Sequence, residues 1–216
     1  MAIGPQVSGK GMISRKHILW EVDVQRDFMS PQGKLYVPGA EKLLPNIRRL
    51  TDLARQDRAF LVSHGDFHSL DDPEFKTFPP HCVKGTAGAD LLPEALADRV
   101  MRVPNAASAH LPNDLFQYQQ IVLEKSTLDV FESLHADALL KKLPAEANFF
   151  VFGVATDYCV KLAAEGLLKR GMCIALVQDA MAGINAQDVQ DLLAKLQQNG
   201  ARLLTTDQAL KELDAP

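Results

Sequence analysis

Phe149-Phe150-Val151-Phe152-Gly153-Val154-Ala155-Thr156-Asp157-Tyr158-Cys159-Val160 is the stretch on which the reading of this chain turns. Its apolar, β-rich first half predicts a buried strand, Phe149–Val154. The pattern that follows predicts a helix over Asp157–Arg170, which Gly171 ends. Cys159 then falls in the first turn of a helix, just past a strand. Unpaired N–H groups and the positive end of the helix dipole lower a thiol's pKa there, so the pattern predicts an ionised, nucleophilic sulfur.

Outward from this stretch, short apolar runs alternate with longer amphipathic ones. His17–Asp23, Ala59–Ser63, Gln120–Glu124, Met172–Gln178 and Arg202–Thr205 read as five further strands. Leu43–Gln56 and Val130–Lys142 read as helices, as does a segment capped by Asn185 and ended by Gly200, with Ile184 and Val189 spaced as a hydrophobic staple. Alternation of this kind predicts an α/β protein: three αβα layers, Rossmann-like and doubly wound, on a mostly parallel six-stranded sheet. Ligands of such sheets sit beyond the carboxyl ends of the strands. One long region, Gly65 to Asn113, breaks the alternation with six prolines, and an irregular segment of that length is usually functional.

The 216 residues suffice for one core, expected over 17–216, with 1–16 as a flexible extension lacking a signal peptide's apolar centre. A net charge of −4 gives no electrostatic case for nucleic-acid or membrane partners. An odd count of three cysteines points to reduced thiols and a cytoplasmic setting. Gly4 to Lys10 matches a phosphate-loop pattern, but Gly11 replaces the required Ser or Thr and no strand precedes it.

Three polar residues fall at the carboxyl ends of separate predicted strands: Asp23, Lys125 and Cys159. In a parallel sheet they can share one cleft. Asp23 would exchange a proton with the thiol and a leaving amine, and Lys125 would hold its neighbours in their charged forms. A second set is Asp66-Phe67-His68 with His81 thirteen residues on. Imidazole and carboxylate together suit one divalent ion, zinc first and iron or manganese next. Glu74 is a candidate fourth ligand; His64 and Asp71 or Asp72 are weaker alternatives. Cys82 and Cys173 read as core residues.

With these residues assembled, the chain resembles the isochorismatase-like cysteine hydrolases, and among them the nicotinamidase/pyrazinamidase group, from about Ile18 to Thr205. Asp23-Val24-Gln25-Arg26-Asp27-Phe28 is similar to the family's opening DxQxDF motif, Lys125 to its catalytic Lys, and Gly153–Val160 to its nucleophile motif. The resemblance implies catalysis by Asp23, Lys125 and Cys159 and a cis Val154–Ala155 peptide. It implies an oxyanion hole from the N–H groups of Ala155 and Cys159, and metal ligation by Asp66, His68 and His81. It further implies substrate contacts from Phe28, Phe78, Val154 and Tyr158, with the two Phe rings sandwiching a pyridine. Phe78 stands where Trp is frequent and Tyr158 where His is common.

The expected activity is metal-dependent conversion of nicotinamide to nicotinate and ammonia through a thioester, with the ion holding the ring nitrogen. The alternative is hydrolysis of another small amide, an N-carbamoyl or ureido compound. A small-molecule substrate and a homo-oligomer complete the expectation. Two competing readings are a metal hydrolase in which Cys159 is only structural, and an inactive binding module.

Overall fold

The computed structural model describes residues 16–214. The expected extension before Lys16 and the Gly4–Lys10 motif lie outside the described residues. Within the described residues seven strands form one parallel sheet: β1 (His17–Val22), β2 (Phe60–Asp66), β3 (Val100–Val103), β4 (Gln120–Lys125), β5 (Asn148–Val154), β6 (Cys173–Ala182) and β7 (Arg202–Leu204). Their order is β3-β4-β2-β1-β5-β6-β7. The α/β, doubly wound expectation therefore holds, but the sheet has seven strands and not six. The added strand, β3, lies inside the proline-rich region. Its four residues (Val-Met-Arg-Val) are mostly half-exposed at the sheet edge, so they carry too little apolar pattern to stand out.

Among the described residues six α-helices accompany the strands: α1 (Arg26–Met29), α2 (Leu44–Arg55), α3 (Ala136–Leu140), α4 (Lys161–Lys169), α5 (Ala186–Gln198) and α6 (Thr206–Leu213). The chain steps one way from β1 to β2 and the other way from β5 to β6 to β7. Right-handed crossovers then put α2 on one face and α4 and α5 on the other. α6 packs on α2, which closes the first face. The helix expected over Val130–Lys142 is instead a 3-10 turn, Val130–Glu132, followed by the short α3. Asn185 caps α5 as expected, accepting from the N–H groups of Gln187 and Asp188.

β1 and β5 lie in the middle of the sheet with helices over both faces, which is why their sequences run almost continuously apolar. Trp20 lies at the centre, stacked on Phe131 with ring centroids 6.1 Å apart. Gly153 matters here: at φ 115°, a Cβ would stand 2.0 Å from the Val22 carbonyl. Only glycine lets β5 approach β1 this closely, one residue before Asp23.

Glu21 is the exception in β1. It is fully buried opposite Ser63, and neither carboxyl oxygen has a well-aligned hydrogen bond. Burial pushes its carboxyl up to about 8, while the Ser63 hydroxyl acts weakly in the other direction. The acid is therefore neutral in the folded core at pH 7. Because the folded value is raised, the stability it contributes is complete below about pH 4.5 and is lost as pH climbs through 8. Glu21→Gln should remove a slope of about 1.4 kcal/mol per pH unit within that window. Urea unfolding at pH 5, 7 and 9 measures it; parallel curves for the two proteins would rule out a buried neutral acid.

Candidate active site

Four neighbouring strands, β4, β2, β1 and β5, end on the same rim. Lys125 is the last residue of β4 and Asp66 the last of β2, paired across the sheet. Asp23 follows β1. Cys159 follows β5 inside a π-turn, Thr156–Val160, in which the Val160 N–H reaches the Ala155 carbonyl five residues back. The expected helix thus starts four residues later, at Lys161. The Val154–Ala155 peptide is cis. Asp23 sits at φ 52°, a left-handed conformation uncommon outside glycine.

The Lys125 amine is the hub. Its Nζ lies 2.5 Å from Asp66 Oδ1, 3.0 Å from Asp23 Oδ2 and 3.7 Å from Cys159 Sγ, with all four side chains buried. Burial alone would strip the proton from Lys125, but Asp23 and Asp66 outweigh it and hold the amine charged well above its ordinary range. Burial likewise opposes the Asp66 charge, yet Lys125 and the imidazoles of His68 and His81 keep the carboxyl well below the usual range.

The sulfur behaves differently from its sequence expectation. Burial, helped by Asp23 and Asp66, pushes the Cys159 thiol well above its normal value, and Lys125 offsets only part of that. Cys159 is 5% exposed, so the loss of hydration outweighs the helix start. The resting group is a thiol, and it needs a base within reach. Asp23 supplies one: ligand atoms of Asp23, Asp66 and Cys159 lie within 4.8 Å of one another.

Beside this trio, Asp66, His68, Glu74 and His81 each aim one donor atom into a common space, again within 4.8 Å of one another. His68 Nε2 and His81 Nε2 each stand 3.8 Å from Asp66 Oδ2, and His81 Nε2 stands 3.9 Å from Glu74 Oε1. The His81 Nδ1–H donates to the Pro79 carbonyl at 2.8 Å, which leaves Nε2 as a lone-pair donor. His68 Nε2 is buried with no hydrogen-bond partner. These are the spacings and orphaned atoms that a mixed N/O site for one divalent ion requires. Glu74, the candidate fourth ligand, is part of the cluster. His64 is not: it sits beside Asp23, Nδ1 to Oδ1 3.4 Å. Asp72 stands behind His68, with Oδ2 3.0 Å from Nδ1.

Members of both sets, Asp23, Cys159, Asp66, Glu74 and His81, line one cavity. Phe28, Phe78, Val154, Ala155 and Tyr158 are also among the residues that line it. Phe28 and Phe78 both meet the His81 ring edge-on, at 5.3 Å and 6.4 Å. Leu35, Val37, Leu128 and Ile184 complete the walls. Sequence reasoning missed these four because they come from distant loops and carry no chemistry of their own. It also passed over Gln25, which lies inside the DxQxDF motif. The Gln25 amide donates to the Asp66 carbonyl at 2.6 Å and accepts from the Asp66 N–H at 2.7 Å, fixing the backbone of that residue. Cys82 is buried, whereas Cys173 is exposed at the very start of β6, contrary to its reading as core.

The isochorismatase domain model matches residues 102–208. The chain is 27% identical over 192 residues to the nicotinamidase/pyrazinamidase of Mycobacterium tuberculosis, covering 85% of this chain and 95% of that protein. Among solved structures, pyrazinamidase of Pyrococcus horikoshii in complex with zinc superposes with a TM-score of 0.70 at 26% identity, over 88% of this chain and 99% of that one. By these likenesses the chain is similar to the isochorismatase-like superfamily. Within that superfamily its likeness is to the nicotinamidase group, although N-carbamoylsarcosine amidase from Thermoplasma acidophilum is also similar, with a TM-score of 0.69 at 25% identity over 89% and 97% of the two chains. Among the described residues no helix is long and apolar enough to cross a membrane.

Proposed function

We propose that this protein is a cysteine amidohydrolase that converts nicotinamide to nicotinate and ammonia. The observation that carries the reading is one cavity lined by the Cys159 thiol, the Asp23 carboxylate, three members of the donor cluster (Asp66, Glu74 and His81) and the Phe28 and Phe78 rings, with the Lys125 amine 3.7 Å from the sulfur. Phe28 and Phe78 would hold the flat ring, with Val154 and Tyr158 as further walls, and turn its carboxamide towards Cys159. Asp23 takes the thiol proton as Sγ bonds to the carboxamide carbon, so ionisation accompanies attack. Lys125 stabilises the sulfur and Asp23 while charge moves between them. The backbone N–H groups of Ala155 and Cys159 receive the developing oxyanion. Asp23 returns its proton to the amide nitrogen, the C–N bond breaks and ammonia leaves. Asp23 then deprotonates a water that attacks the thioester carbon, and as the C–S bond breaks it passes that proton to the departing sulfur, which restores the Cys159 thiol. A divalent ion held by Asp66, His68, His81 and Glu74, zinc before iron or manganese, would supply a Lewis-acid anchor for the ring nitrogen.

The reading includes a small-molecule substrate, a homo-oligomer and a cytoplasmic setting suited to three free thiols. Ammonia release from nicotinamide, benzamide and N-carbamoyl amino acids tests it. Nicotinamide should be the best substrate. His68→Ala should raise its KM by about tenfold or more while changing that of benzamide, which has no ring nitrogen, far less. The likeness to N-carbamoylsarcosine amidase supports the second reading, and faster turnover of the N-carbamoyl compounds would select it.

A further inference from the structure

Asp157 belongs to the nucleophile-bearing turn but touches none of the reacting groups described above. Its carboxylate reaches across to the segment after β6. It accepts from the Ile184 N–H at 3.0 and 3.2 Å and from the Asn185 N–H at 2.8 Å. Those two residues immediately precede α5, so the negative charge also meets the positive end of a thirteen-residue helix. The segment lies flush on Asp157: a Cβ at Gly183 would come within 2.8 Å of Asp157 Oδ1 and 2.4 Å of Val189 Cγ2. Ile184, held by those bonds, lines the cavity although its residue is 52% exposed. Its apolar side chain is thus kept at the mouth and not buried beneath α5 as a staple.

We propose that Asp157 is a positioning residue that locks the 183–185 segment to the nucleophile turn, so that Ile184 closes the mouth of the cavity over a flat ring. Tyr158 and Cys159, next to Asp157 in sequence, line the same cavity. One carboxylate therefore sets the distance between the attacking sulfur and the far wall that retains the ring. Retention of a bound ring affects KM, whereas the thiol, its base and the oxyanion donors are unchanged and kcat is largely preserved. The proposal rests on the amidase reading for its kinetic arm only.

The test compares Asp157→Ala, Asp157→Asn, Ile184→Ala and the Asp157→Ala/Ile184→Ala double variant. On nicotinamide, Asp157→Ala should raise KM by about tenfold with kcat within about threefold, and Asp157→Asn, which keeps one acceptor oxygen, should recover most of the loss. The double variant should be no worse than the poorer single one, because both changes act on one contact. Independently of turnover, amide hydrogen exchange at Ile184 and Asn185 should quicken by about tenfold or more in Asp157→Ala. A fall in kcat at constant KM, effects that multiply in the double variant, or unchanged exchange at the two amides would each overturn the proposal. If the wild-type protein releases no ammonia from nicotinamide, the amidase reading fails by itself and the exchange result alone decides the role of Asp157. Should Asp157→Ala not fold, Asp157→Asn and Gly183→Ala, which crowds the same contact from the other side, carry the same kinetic and exchange readouts.

Discussion

Cys159→Ala is expected to lower amide turnover by at least about a thousandfold, because it removes the atom that forms the covalent bond. The fold should survive. The sulfur occupies a small, 5% exposed position, and trimming it to a methyl costs about 1 kcal/mol. Metal content should survive too, since the four-donor cluster of Asp66, His68, Glu74 and His81 does not include Cys159. Steady-state ammonia release, circular dichroism and metal analysis on the same sample separate these outcomes. Activity that persisted in the variant would transfer the chemistry to water activated at the donor cluster and leave Cys159 a structural role.

Lys125→Met should abolish turnover and also weaken the fold. The amine is wholly enclosed and stands 2.5 Å and 3.0 Å from the Asp66 and Asp23 carboxylates. Removing it leaves two negative groups facing each other in the interior. Breaking a buried ion pair from one side costs about 3–5 kcal/mol, or roughly 10 °C in the unfolding midpoint of a chain this long. The measurement is thermal unfolding in the presence of a chelator, so that no divalent cation compensates for the lost amine. A midpoint within about 2 °C of the wild type would mean that the two acids are not held as a charged pair by Lys125.

The sequence is most legible where burial on both faces enforces continuous apolar runs. β1 and β5 announce themselves that way, and the residues just beyond them are the ones that converge. Legibility fails where a few residues must serve two environments. β3 is four residues at an edge, and the helix expected over Val130–Lys142 breaks at Ser133–His135 because its apolar spacing serves a 3-10 turn and a separate short helix. α6 lies past the last strand read from the pattern, although its Thr205–Gln208 capping box was in plain view. Glu21 interrupts an otherwise apolar run and is nonetheless sealed in a central strand. The ionisation of Cys159 does not follow from its place at a helix start, because burial, a property of the assembled rim, opposes it. Asp66, His68 and His81 were recognisable from type and spacing, whereas the loop-borne walls Leu128 and Ile184 were not.

The rim draws Lys125 and Asp66 from the ends of two strands, and Asp23 and Cys159 from the chain just past two more, all four strands lying side by side. Side chains alternate between the two faces of a sheet along every strand, so a slip of one position in β4 or β2 turns Lys125 or Asp66 away from the others, and a slip in β1 or β5 displaces the segment that carries Asp23 or Cys159. Such a slipped molecule could keep most of its helical and sheet content. Recovered catalysis after dilution from denaturant therefore counts only chains whose strands have threaded into correct alignment, and it is a stricter gauge of refolding yield than any spectroscopic signal from the backbone.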